Sequence, residues 1–201
     1  MANNQVLNLE KEARILLIET QASVEGSLFQ KLSEQNIEPL LVVNQIESLV
    51  ELIATLEPAI LFFSVDTVDD KLVQCLSEVN DNSPLPTAVF AHHHCSELLQ
   101  SLVSSGVNSY IVDDIASERI PVIINLVETR FSQEQKFRCE LAQTRAKLSE
   151  RKVIEKAKGL IMAQKKISEE QAYAQLRKSA MNQCRPMVDL AKSVISVFEQ
   201  H

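Results

Sequence analysis

Between Arg14 and Val112 the chain repeats one pattern about five times: a short apolar run rich in β-branched residues, then a segment of helical period. Continuous apolar runs of this length are typical of parallel strands buried on both faces, which are joined by helical crossovers. The pattern therefore predicts an α/β domain with a doubly wound, parallel, five-stranded sheet. The predicted strands are Arg14–Ile18, Glu38–Val43, Ala59–Ser64, Thr87–Phe90 and Asn108–Val112, and the predicted helices are Ser23–Gln35, Ile46–Leu56, Asp69–Val79 and Ser96–Ser105.

After Pro121 the periodicity becomes helical, and no Gly or Pro interrupts Val122–Arg151. Apolar Phe137, Leu141 and Leu148 are spaced like the seam of a coiled coil, so we expect a long helical connector that pairs two chains into a homodimer. Two alternatives stay open, a helix that folds back on its own domains and a plain amphipathic last helix of the front domain.

Residues 149–199 divide into three short amphipathic segments. The first runs from about Ser149 to Gln164, the second begins with a capping box at Ser168, and the third has Pro186 in its first turn. Helices this short are marginal alone, so they are expected to pack as a three-helix bundle. The predicted organisation is a tail (1–12), a sheet domain (13–128), a connector (129–148) and a bundle domain (149–201).

The two halves of the chain carry opposite charge. Residues 1–129 contain 5 Lys/Arg and 19 Asp/Glu, a net charge of −14, whereas residues 130–201 contain 15 and 8, a net charge of +7. A basic module joined to an acidic one indicates a regulated binder of polyanions, with an ordinary solvated basic surface as the alternative.

The segments ILLIET, PAILFFSVD, PTAVFA and SGVNSYIVDD resemble the receiver domains of response regulators, which have a flavodoxin-like fold. In that family an acidic pair, a phosphoacceptor aspartate, a hydroxyl residue and a lysine form the phosphorylation site. Here the matching positions depart from that pattern, and the degenerate site consists of Glu19, Thr20, Ser64, Ala91 and Asp113, with Asp66 as a shifted acceptor. The resemblance therefore implies a receiver-like domain that is not phosphorylated; the alternative is a phosphorylation-dependent response regulator with an RNA- or DNA-binding output.

The run ERKVIEKAKGLIMAQKKISEEQAYAQLRKSAM, followed by DLAKSVISVFEQ, resembles the ANTAR domain, an RNA-binding module of bacterial antitermination regulators. This resemblance implies binding to hairpins in leader mRNA, which prevents a terminator from forming. With a degenerate receiver in front, the chain is similar to NasT-type antiterminators of nitrate assimilation operons. In those, a nitrate- and nitrite-sensing NasS-like partner holds the antiterminator inactive.

Residues of the expected RNA-binding surface are mostly cations, which neutralise phosphates, together with small residues that admit a nucleic-acid backbone. Arg177 adds a planar group that stacks on or hydrogen-bonds a loop base. Tyr173 is expected in the core by default, and on a base if it is exposed. The candidates are Arg151, Lys152, Lys156, Ala157, Lys158, Gly159, Lys165, Lys166, Arg177 and Lys178.

Chemistry beyond binding is not expected. His92–His94 and Cys95 are adjacent in sequence, and adjacent residues rarely converge on one ion, so they are predicted to form an exposed loop and not a metal site. The other cysteines are scattered and predicted to be free thiols. We expect no catalytic residue, no cofactor, no enzymatic activity and no membrane association; without a signal-like or transmembrane run, the expected location is the cytoplasm.

Overall fold

The computed structural model describes residues 14–20, 27–46, 48–112 and 115–199. The chain forms two compact units, which divide between Gln135 and Lys136. This division falls inside one long helix, so that helix contributes its first part to one unit and its second part to the other.

Within the first unit, the described residues form a five-stranded parallel sheet in the order β2-β1-β3-β4-β5, which confirms the predicted fold. The start predicted for the first helix, Ser23, lies outside the described residues. A short 3₁₀ turn at Ser117–Arg119 leads into the last helix. In chain order the elements are β1 (Ile15–Glu19), α1 (Leu28–Glu34), β2 (Leu41–Val43), α2 (Leu49–Leu56), β3 (Ile60–Val65), α3 (Asp70–Asn82), β4 (Thr87–Ala91), α4 (Leu99–Ser104), β5 (Ser109–Val112) and the start of α5 (Ile120–Lys165).

Successive residues of the central strands point to opposite faces of the sheet, and both faces are buried. On one face, Leu16, Phe63 and Val89 pack with residues of α2, α3 and α4. On the other, Leu17 and Phe62 pack with residues of α1 and with the start of α5. Burial on both sides explains why the strands are continuous apolar runs and do not alternate with polar residues.

The second unit consists of the remainder of α5, α6 (Glu169–Asn182) and α7 (Met187–Glu199). Its core contains small and apolar side chains from all three helices: Ala157, Ile161, Ala172, Leu176, Ala180, Leu190 and Ala191. The capping box at the start of α6 is confirmed, because the Ser168 hydroxyl accepts from the Gln171 N–H while the Gln171 side chain accepts from the Ser168 N–H. The expected connector and the first helix of the bundle are one continuous helix.

Among the described helices, none combines the length and the apolar character needed to span a membrane.

Candidate nucleic-acid interface

One exposed face of α5 in the second unit is cationic. Arg145, Lys152 and Lys156 follow one another at intervals of seven and four residues, and Gly159 and Ala163 continue the same face. All five are exposed, and they lie on the side of α5 away from the buried Ala157 and Ile161. We call these five residues the α5 stripe. Within it, three cations precede two residues with little or no side chain, so the surface is positive and flat.

Gly159 has no packing reason to be glycine. A Cβ built on Gly159 meets no atom within 4 Å, and its backbone is not in the left-handed region. Glycine inside a helix costs about 0.5–1 kcal/mol relative to alanine. The chain therefore accepts this cost at a position where the only structural consequence is an exposed helix backbone, which an external molecule can approach closely.

Ala157 requires a correction. It was expected to admit an RNA backbone alongside Gly159, but it is fully buried in the core of the second unit. The reason is helical phase: two residues apart on a helix, Ala157 and Gly159 point in nearly opposite directions. The small side chain of Ala157 instead lets α6 and α7 pack closely on α5.

Lys158 also requires a correction, because its ammonium does not project freely into solvent as a phosphate contact. Its side chain is 8% exposed, and its Nζ lies 2.8 Å from Glu155 Oε2 and 2.7 Å from Glu169 Oε1. The hydrogen bond to Glu155, followed by that to Glu169, raises the pKa of Lys158. The hydrogen bond from Lys158 in turn lowers the pKa of Glu169. The ammonium is thus engaged by two carboxylates and links α5 to the first residue of α6.

The other predicted cations are exposed, at several places on the unit. Arg151 lies on α5 outside the stripe, and Lys165, near the end of α5, donates to Gln175 Oε1 at 2.9 Å. Lys166 follows directly after α5, and Arg177 and Lys178 lie on α6. The structure therefore brings only Lys152, Lys156 and Gly159 of the predicted set onto one face. Arg145 and Ala163 were missed, although the spacing of the helix would have found them.

Tyr173 on α6 is 41% exposed, so the default expectation that it belongs to the core is wrong. The Lys158 Nζ lies over its ring, 5.8 Å from the centroid. Arg177 follows one helical turn later, so the two exposed side chains share a face of α6. An aromatic ring and a guanidinium side by side are groups that bind unpaired bases in RNA-binding proteins.

In the first unit, the degenerate site lies at the carboxyl edge of the sheet. Glu19 is buried, and its Oε1 accepts from the N–H of Leu28 at 2.9 Å, so this carboxylate satisfies the start of α1. Glu19 pairs in register with Ser64, whose carbonyl accepts from the Thr20 N–H at 3.1 Å. The remnant of the acidic pair therefore has a structural role.

The other positions of that edge offer little for phosphoryl chemistry. Ala91 is buried and carries no hydroxyl group. Asp66 lies beyond the end of β3, 3.6 Å from His93 Nε2, and Asp113 lies outside the described residues. His92–His94 are exposed, as predicted. Among the described residues there is no cluster of three or more His, Cys, Asp or Glu side chains able to hold a metal ion.

Comparison with known families places the C-terminal helices. Residues 142–195, from the second part of α5 into α7, match the ANTAR domain. The second unit carries an ANTAR domain. The α5 stripe, Lys158, Tyr173 and Arg177 all lie within the matched residues, so the cationic face described above belongs to the ANTAR domain.

Two relatives extend this comparison. The transcriptional regulatory protein PdtaR of Mycobacterium tuberculosis is 23% identical over 185 residues, covering 92% of this chain and 90% of that protein. The nitrate regulatory protein of Klebsiella oxytoca is 36% identical over 85 residues, covering 42% of this chain and 22% of that protein. The chain thus spans nearly the whole length of the first relative and less than a quarter of the second.

Solved structures match the first unit. A signal receiver domain of a modulated diguanylate cyclase from Desulfovibrio desulfuricans G20 has a TM-score of 0.51 at 16% identity, covering 60% of this chain and 97% of that one. A CheY-like receiver domain protein from Methanospirillum hungatei JF-1 has a TM-score of 0.50 at 16% identity, covering 61% and 97%. These likenesses show a receiver fold, which the chain combines with the ANTAR domain.

Proposed function

We propose that the protein is an RNA-binding transcription antiterminator whose ANTAR domain binds hairpins in leader mRNA and thereby prevents a terminator from forming. The observation that carries this proposal is the α5 stripe, an exposed cationic face within the residues that match the ANTAR domain. Phosphate groups are the ligands that such a surface attracts, and residues 130–201 as a whole carry +7.

RNA suits this surface better than duplex DNA does. A hairpin loop presents unstacked bases and 2′-hydroxyls, which the exposed Tyr173 and Arg177 are able to stack on and hydrogen-bond. The flat end of the stripe at Gly159 and Ala163 allows close approach of a sugar-phosphate backbone. No single helix of the unit combines these groups, so binding requires the folded bundle.

The proposal predicts electrostatic, RNA-selective binding. In an anisotropy titration with short hairpin RNAs of randomised loop sequence, affinity should fall with salt at a log–log slope of several units, since each neutralised phosphate of a single strand contributes about 0.7. Duplex DNA of the same sequence is expected to compete poorly. Equal affinity for hairpin RNA and duplex DNA would remove the basis for assigning this surface to RNA.

We propose that a partner protein, and not phosphorylation, regulates the antiterminator. A phosphoacceptor carboxylate needs a divalent cation and a lysine to offset the neighbouring negative groups. Here the buried Glu19 is committed to α1, Ser64 stands at the acceptor position, and the shifted Asp66 is paired with His93. This arrangement supports a receiver fold retained for protein contacts.

Acetyl phosphate with magnesium should therefore leave both the mass of the protein and its affinity for hairpin RNA unchanged. Intact-mass spectrometry after the treatment measures the first, and the anisotropy titration measures the second. A receiver domain with a complete acidic site serves as the positive control. A stoichiometric phosphoryl adduct on Asp66 or Glu19 would contradict the proposal.

The regulated genes are proposed to be those of nitrate or nitrite assimilation, and the partner a NasS-like sensor of these anions. The support is the similarity of 85 residues to a nitrate regulatory protein. The front half, at −14, is the surface on which such a sensor would act. We further propose a cytoplasmic location, where nascent mRNA is available.

No enzymatic activity is proposed. The nucleophile candidate with a resolved pKa change is unfavourable: burial, followed by the charge of Glu78, raises the pKa of the Cys75 thiol to about 11. At neutral pH this thiol is protonated, and a protonated thiol is a poor nucleophile.

We propose that the active form is a homodimer, paired through α5. Phe137, Leu141 and Leu148 are 68%, 50% and 55% exposed, and they follow a heptad-like spacing along one face of the helix. Exposed apolar side chains in such a row are typical of an interface.

Sedimentation velocity should show a dimer of the RNA-competent protein, and Leu141→Lys should shift it to monomer because a charge enters the seam. Ala146→Lys is the matched control, since Ala146 is exposed on the opposite side of α5. A wild-type protein that is strictly monomeric, both free and RNA-bound, would rule out the dimer.

A further inference from the structure

Resting on the proposed binding of RNA, we infer that the exposed face of Tyr173 is a stacking subsite for an unpaired nucleobase, and that Lys158 is the positioning residue that holds this ring in place. Lys158 then contacts no nucleotide itself. Its effect on RNA reaches the base through Tyr173.

The accessible side of the Tyr173 ring follows from the burial of its neighbour. The Lys158 Nζ lies over the ring, yet the Lys158 side chain is 8% exposed, so solvent does not reach the ring from that side. The 41% exposure of Tyr173 must therefore come from the opposite face and the edges. A ring with one face against a cation and the other in solvent is available for stacking.

Lys158 fixes the position of that ring by joining two helices. Its ammonium bonds Glu155, one turn earlier on α5, and Glu169, the first residue of α6. Glu169 lies one helical turn before Tyr173, so the clamp holds the turn of α6 that carries the ring. The ammonium also offsets two carboxylates that would otherwise repel each other and an approaching phosphate.

A nucleobase is the occupant that the surroundings favour. Arg177 lies one turn beyond Tyr173 on α6, and the α5 stripe provides further cations for the backbone of the same strand. Aromatic rings beside cations bind single-stranded nucleic acid by stacking, which tolerates any base because each has a π face. An apolar peptide would gain nothing from these cations.

Fluorescence of 2-aminopurine tests the subsite directly. The probe is the hairpin that binds best among the randomised loops, with 2-aminopurine at each loop position in turn. We expect quenching at one position with wild type and with Tyr173→Phe, and no quenching there with Tyr173→Leu. The leucine variant should bind about 5- to 150-fold more weakly, the range for loss of one base stack. Its salt slope should not change, because no phosphate contact is lost.

The role of Lys158 is tested with its charges balanced. The variant Glu155→Gln, Lys158→Met, Glu169→Gln removes the clamp without leaving an unpaired carboxylate, and Lys158→Arg keeps a cation in the same place. We expect the triple variant to lose the quenching while keeping its helical circular dichroism, and Lys158→Arg to retain it. Adding Tyr173→Leu to the triple variant should then weaken binding little further, because both changes remove the same stack.

Three results would overturn the inference. Wild-type quenching and affinity in Tyr173→Leu would show that no base stacks on the ring. Binding by Tyr173→Phe as weak as that of Tyr173→Leu would show that the hydroxyl, and not the ring, makes the contact. Full quenching in the triple variant would show that Lys158 does not position Tyr173. These outcomes leave RNA binding itself intact, whereas a wild-type protein that binds no hairpin overturns the proposed function.

Discussion

Replacing Lys152 and Lys156 together by glutamine should weaken binding to hairpin RNA strongly, by about 1–3 kcal/mol for each lost contact. Both residues are exposed on the α5 stripe, so their removal leaves the core of the ANTAR domain unchanged. The log–log slope of affinity against salt should also decrease, by about 0.7 for each single-strand phosphate contact removed. Anisotropy titrations over a series of salt concentrations measure both effects, and circular dichroism confirms that the helices are retained.

Arg185→Gln with Lys192→Gln is the matched control, because it makes the same change in net charge. Arg185 precedes α7 and Lys192 lies on it, and α7 packs on the buried side of α5, away from the stripe. This variant should bind RNA nearly as well as wild type. An equal loss in the two double variants would mean that total charge, and not the α5 stripe, determines affinity.

Gly159→Ala separates affinity from stability on the same surface. The added methyl group meets no atom of the described chain, so it should stabilise the helix by about 0.5–1 kcal/mol. It should nevertheless weaken RNA binding, because the methyl group occupies the space into which the backbone of the RNA fits. A variant that is more stable and binds equally well would show that RNA does not approach Gly159.

The second large effect is expected inside the bundle, where Leu176→Ala should destabilise the ANTAR domain by about 2–5 kcal/mol. Leu176 is buried between α6 and its neighbours, and the change leaves a cavity in a small core. Small domains have only about 0.05–0.15 kcal/mol of stability per residue, so most of the stability of this unit would be lost. Hydrogen exchange should show faster exchange in α6 and α7, and RNA affinity should fall with it.

Strands of the first unit provide an internal reference in that experiment, since their amides should keep wild-type protection. Ala174→Gln is the control on the same helix; Ala174 is exposed, and a surface change of this kind alters stability by about 0.5 kcal/mol or less. Wild-type protection of α6 in Leu176→Ala would contradict the core assigned to the three helices.

The sequence by itself determined the fold of the front half and the helices of the back half. Apolar runs such as Ile60–Val65 have no polar alternation, and only a sheet covered on both sides accommodates them. The capping box at Ser168 is likewise a local signal, since its two hydrogen bonds join residues three apart. Periodicity and caps are properties of neighbouring residues, and these are visible in one chain.

Only the tertiary structure decided which of the candidate residues face a ligand. Helical period groups residues by face, but the phase of α5 relative to the core decided that Ala157 is buried and Gly159 exposed. The pairing of Lys158 with Glu169 joins two helices, and its geometry depends on how those helices cross. The same holds for Glu19, whose carboxylate meets the start of α1 nine residues later. Contacts between elements depend on packing, which the order of residues along one helix or strand does not specify.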